Sequence, residues 1–90
     1  PFYYPTYFKN GYKVNLQQGT LKINRPMLVE ISIDGLRAGE KVYYTIGSQT
    51  TLQPLAARDG TVQIPVNGKT GGHLTIFVGL KPIVAYKLVR

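Results

Sequence analysis

The sequence predicts an all-β fold, a single antiparallel sandwich, on three observations. Valine, isoleucine and leucine recur at every second position through most of the chain. No segment carries the three-to-four-residue apolar spacing of a helix, and Gly, Pro, Asn or Asp breaks the alternation about every eight to twelve residues. Ninety residues leave room for one core only.

Taken in order, Val14 and Leu16 make a short strand that turns at Gln17, Gln18 and Gly19. Leu21 and Ile23 alternate until Asn24, Arg25 and Pro26 interrupt them. Met27 to Asp34 is the clearest strand, with Val29, Ile31 and Ile33 on one face and Glu30, Ser32 and Asp34 on the other. Gly35 and Gly39 turn the chain, and Leu36 between them is placed to plug the end of the core. Lys41 to Gly47 follows, Val42, Tyr44 and Ile46 on one face and Tyr43 and Thr45 on the other.

The stretch from Ser48 to Asp59 is irregular and reads as a short edge strand with a crossing loop. Pro54 supports the edge, because a central strand needs the N–H that proline lacks. Asp59-Gly60 opens Thr61 to Val66, where Val62, Ile64 and Val66 point inward, and Asn67-Gly68 turns it. Leu74, Ile76 and Val78 form the next inward row, Gly79 to Pro82 is a tight connection, and Ile83 to Val89 is the last strand, carrying Tyr86. About seven strands in some 75 residues is the count of an immunoglobulin-like or fibronectin-III-like sandwich, a small closed barrel being the alternative.

Three segments carry a resemblance: Val29 to Leu36, Gly39 to Gly47, and Gly60 to Val66 leading on to Leu74-Thr75-Ile76. They resemble strands B, C, E and F of the immunoglobulin-like modules of phage virion proteins and bacterial surface proteins. The likeness spans most of Leu21 to Arg90. The chain departs from antibody-type domains in having neither the inter-sheet cysteines nor a tryptophan, and Tyr44 is expected in the aromatic core slot of strand C. The resemblance implies a structural module of a virion, or alternatively an adhesive or polysaccharide-binding module at a bacterial surface.

The inventory for chemistry is short. No cysteine and one histidine exclude Cys/His metal sites, and the acids Glu30, Asp34, Glu40 and Asp59 are scattered over turns and one strand. Asp34 and Asp59 each precede a glycine, which turn formation explains. The expectation is a non-enzymatic protein with no catalytic residue, no cofactor and no metal. No stretch approaches the roughly 20 apolar residues of a membrane-spanning helix.

Eleven Lys and Arg against four acids give a formal charge of +7, with the basic residues dispersed singly. Dispersed lysines solubilise a surface and discourage edge pairing, while the net charge favours an acidic partner. Tyr43 and Phe77, on the faces opposite the core rows, are placed to stack bases, so a small basic single-stranded nucleic-acid binder is a further class.

Six of the ten aromatic residues fall within the first twelve positions: Phe2, Tyr3, Tyr4, Tyr7, Phe8 and Tyr12, in a stretch broken by Pro1, Pro5 and Gly11. Such a segment is suited to docking rather than to a core, since its rings need apolar contact yet follow no period. The chain therefore divides into an extended arm, residues 1–12, and a sandwich, residues 13–90. The expected contact residues are Phe2, Tyr3, Tyr4, Tyr7 and Phe8 of the arm together with the outward Leu28, Tyr43 and Phe77, which oppose their core rows. The arm is expected to dock on a protein partner or a second copy, capsid or tail proteins in the virion reading; the alternative is that it folds back to cover its own sandwich, capping one open edge or face.

Overall fold

The computed structural model describes residues 6–7, 11–14, 20–67 and 72–89. Those residues form strands and turns, with no helix among them, in two sheets packed as an open sandwich. The smaller sheet holds β2 (Lys13–Val14), β4 (Pro26–Asp34) and β7 (Thr61–Asn67), in the order β2-β4-β7. The larger is built on β9 (Lys81–Val89), β8 (His73–Val78), β5 (Val42–Ile46) and β6 (Gln53–Leu55), in the order β9-β8-β5-β6. Its far edge is shared by β1 (Thr6–Tyr7) and β3 (Thr20–Lys22), both paired with β9.

Alternation dictates the core. Val29, Ile31 and Ile33 of β4 meet Val62, Ile64 and Val66 of β7 on one layer; Leu74, Ile76 and Val78 of β8 and Val84, Tyr86 and Leu88 of β9 face them from the other. Leu36 packs against this cluster from the turn after β4, as its position between two glycines predicts. β6 is the three-residue edge strand expected around Pro54, and Pro65 likewise sits on an edge strand, β7.

Ile83 and Val84 are both buried, which strict alternation forbids. The ladder supplies the reason: Phe77 pairs with Pro82 and Ile76 with Val84, so Ile83 is the extra residue of a β-bulge. The bulge turns two consecutive side chains inward and restores the inward phase for Tyr86 and Leu88.

Two glycines are required by geometry. Asp59 and Gly60 have φ of 52° and 76°, and Arg58 and Thr61 exchange backbone hydrogen bonds of 2.9 Å each way, the signature of a two-residue hairpin turn with both central residues left-handed. Gly60 O also accepts from Ile33 N at 2.7 Å, and a Cβ at Gly60 would lie 3.1 Å from Ile33 O. Gly72 lies so close to Gly47 that a Cβ would come within 2.7 Å of its Cα, which brings the ends of β5 and β8 together.

Two expectations are corrected. The aromatic of the core is Tyr86, fully buried on β9 opposite Leu74, whereas Tyr44 is only half-buried at the margin of the cluster. Strand β9 has neighbours along both sides, while Tyr44 stands beside the three-residue edge strand β6, with Gln53 opposite it. The pairing is also not wholly antiparallel, because β3 runs parallel to β9, Leu21 opposite Leu88, and Ile23 N extends the ladder to Val89 O at 2.6 Å.

Candidate functional site

Of the arm, Phe2, Tyr3, Tyr4 and Phe8 lie outside the described residues. Thr6 and Tyr7 are described as β1: Thr6 pairs with Ala85 and Tyr7 with Val84, antiparallel. For these two residues the chain lies on an edge of its own larger sheet.

The outward residues separate into two groups. Leu28 is 61% exposed on the outer face of the smaller sheet, opposite Pro65. Its face continues with polar rungs, Gln63 Nε2 donating to Glu30 Oε2 at 3.4 Å and the hydroxyls of Ser32 and Thr61 at 3.3 Å. Tyr43 and Phe77 stand on the outer face of the larger sheet and are direct cross-strand partners. Leu28 is therefore on the opposite side of the sandwich from the two rings, and the structure does not bring the three together.

Register extends the ring pair into a row. Pro54 of β6 pairs with Tyr43, and Pro82 of β9 pairs with Phe77, so Pro54, Tyr43, Phe77 and Pro82 cross four strands on one face, about 14 Å at ordinary strand spacing. Both rings are half-buried and keep part of their surface open. The next rung is Thr45, Thr75 and Ala85. The two prolines were missed in the sequence because their alignment with the rings depends on register, and at Pro82 on the bulge, which no single strand reveals. Leu80, 85% exposed at the β8–β9 turn, was likewise not singled out.

The ionisable groups on this face are basic. Lys41 shares the face of Tyr43 by alternation, His73 that of Phe77, and Lys87 pairs with His73; Lys22 is exposed on β3 opposite Val89. The four acids stand elsewhere: Glu30 and Asp34 on β4, Glu40 in the turn before β5, and Asp59 in the hairpin turn before β7. Among the described residues no three His, Asp or Glu side chains gather as a metal would require.

One polar contact ties the segment before β2 to the body. Tyr12 Oη donates to Glu40 Oε2, while Glu40 Oε1 accepts from Arg37 N at 2.7 Å. The Tyr12 hydroxyl, with help from the Arg37 N–H, holds the Glu40 carboxyl below its ordinary range, and the same hydrogen bond, with lesser contributions from burial and the carboxylate's charge, raises the Tyr12 phenol. The Tyr12 ring also packs against the core cluster.

An open cleft of about 690 Å³ lies at the end of the sandwich where β5, β7 and β8 meet their loops, lined in part by Tyr44, Ile46, Gln49, Asn67 and His73. Gln49 is committed to its turn there, its Oε1 accepting from Ile46 N at 3.1 Å. Compared with family models, curated proteins and solved structures, the chain matches none.

Proposed function

We propose that this chain is a non-enzymatic structural and interaction module that docks into a larger assembly through its aromatic N-terminal arm. The observation that carries the reading is the pairing of Thr6 and Tyr7 with β9. A segment that adds to a sheet edge through main-chain hydrogen bonds adds to the equivalent edge of a neighbouring subunit through the same bonds, with its side chains supplying specificity. Among the described residues this ladder is two residues long, and opening a ladder of that length so that it pairs with a neighbour's edge costs little. The aromatic density of the arm supplies the anchors, since two or three docked rings contribute roughly 2 kcal/mol or more each when they act as hot spots.

The setting that the sequence resemblance favours is a phage virion, as a capsid-decorating or tail-associated protein. A small basic sandwich without cysteine suits repeated attachment to a large scaffold. Genes for a portal, capsid or tail protein beside this one support that setting; a neighbourhood of cell-wall or adhesin genes replaces it with the bacterial surface.

Light scattering on the full chain and on a chain lacking Pro1 to Phe8 tests the docking role. The full chain is expected to assemble beyond a monomer and the shortened chain to remain monomeric. A Thr6→Cys/Ala85→Cys pair, oxidised in an otherwise cysteine-free protein, reports the connection directly: crosslinks between chains support docking in trans. Unchanged assembly without the arm sinks the reading.

A further inference from the structure

We infer that the outer face of the larger sheet binds single-stranded nucleic acid, the paired rings of Tyr43 and Phe77 stacking bases while lysines around them take the phosphates. The inference stands independently of arm docking, because it uses side chains of β3, β5, β8 and β9 and the residue before β5 rather than the β1 pairing.

Three observations carry it. Tyr43 and Phe77 are brought into direct cross-strand register on two adjacent central strands, which presents two aromatic surfaces side by side on a rigid sheet. Aromatic platforms of this kind hold bases without reading their identity, because every base has a π-face. The prolines that extend the row, Pro54 and Pro82, are apolar and flat, and leave the rings approachable along the strand direction, past Thr45 and Thr75.

The second observation is the sign of the charge. Lys41 lies two residues from Tyr43 on its face; in the other direction Lys87, paired with His73, and Lys22 beyond it complete a path across the sheet. Lys41 and Lys22 are three strand spacings apart across the sheet and about eight residues apart along it, so the path runs diagonally for roughly 30 Å, enough for several nucleotides. Lys81 is left out of this path because it lies near enough to Glu40 to help draw its carboxyl down.

The third is where the acids are. Glu30, Asp34, Glu40 and Asp59 belong to β4 and to turns, so the ring face meets a polyanion with no carboxylate among its described residues. This charge also argues against the chain's own arm as the occupant, since residues 1–12 contain Lys9 and no acid. An acidic polypeptide satisfies the lysines but leaves the paired rings without a stacking partner.

The test is fluorescence anisotropy of the full chain with a fluorescein-labelled oligothymidylate about 12 nucleotides long, within the site sizes of small β-domains. Tyr43→Ala and Phe77→Ala are each expected to weaken binding about tenfold, and Gln63→Ala on the opposite face to leave it unchanged. Tyr43→Leu keeps apolar packing while removing the ring, so a loss equal to that of Tyr43→Ala, with circular dichroism unaltered, assigns the effect to stacking. If three lysines each neutralise one phosphate, raising salt from about 50 to 200 mM weakens binding roughly 20-fold. Equal affinity for polyglutamate, a ring variant that binds as tightly as the parent, or self-association abolished by Tyr43→Ala each overturns the inference: the first assigns the face to charge alone or an acidic protein, the second removes stacking, and the third assigns the face to a second copy.

Discussion

The chain up to Lys22 and the chain from Pro26 onward are built on different scales. The first contributes strands of two, two and three residues, β1, β2 and β3. The second contributes strands of nine, seven, six and nine residues in β4, β7, β8 and β9, with the shorter β5 and β6 of five and three residues beside them. The long strands face one another and bury the residues of lowest exposure, Ile31, Val62, Ile64, Leu74, Ile76, Val84 and Tyr86. The short ones attach to edges already present, β1 and β3 on β9 and β2 on β4. Among the described residues most of the fully buried side chains therefore belong to the body, while the N-terminal strands add to its edges, Val14 and Leu21 reaching the core from there.

The sharpest way to break this contrast is through the core. Leu74→Ala removes a fully buried side chain opposite Tyr86 and is expected to cost about 3–5 kcal/mol in urea denaturation, enough to unfold much of a domain this size. Val14→Ala, in the two-residue β2, is expected to cost about 1–2 kcal/mol, since less of its surroundings is closely packed. Equal costs at the two positions erase the distinction between body and edge.

Gly60→Ala probes the body's backbone rather than its packing. Left-handed φ and a Cβ 3.1 Å from Ile33 O act together, and the expected cost is about 1–3 kcal/mol, read as a lowered midpoint with unchanged denaturant slope. The smallest expected effect lies on the seam between the two regions. Glu40 is held below its ordinary pKa by Tyr12, so its contribution is present above the ordinary carboxylate range and is lost as pH falls through the depressed folded value. Tyr12 is raised, so its contribution is present below the ordinary phenol value of 10.0 and is lost as pH rises through the raised folded value. Thermal melts across both windows are expected to slope for the parent chain and to flatten for Tyr12→Phe.

How much of this was legible depended on whether a feature is local. The inward rows of β4, β7 and β8 follow from alternation alone, and the edge placement of Pro54 and the plug at Leu36 follow from single-residue chemistry. Strand register, sheet membership and ladder irregularities are properties of two or more segments at once. That is why Tyr44 was expected where Tyr86 lies, why Leu28 was grouped with rings on the other side of the sandwich, and why the bulge that buries both Ile83 and Val84 gave no signal in the run Ile83 to Val89. The candidate face follows the same rule: each ring was recognisable as outward, but their pairing with each other and with Pro54 and Pro82 was not.

The sharing of β9's edge by β1 and β3 has a consequence for how the molecule is made. The residues that seal that edge precede the body in the sequence and their partner follows most of it, so Thr6 and Ala85 must find each other across the whole of the body between them. Closing so long a loop has an entropic cost that is recovered only after the body is formed, which makes this pairing a late step in folding. Until then β9 presents an unsealed edge, and a chain folding beside others meets their arms at the moment when its own has not yet returned.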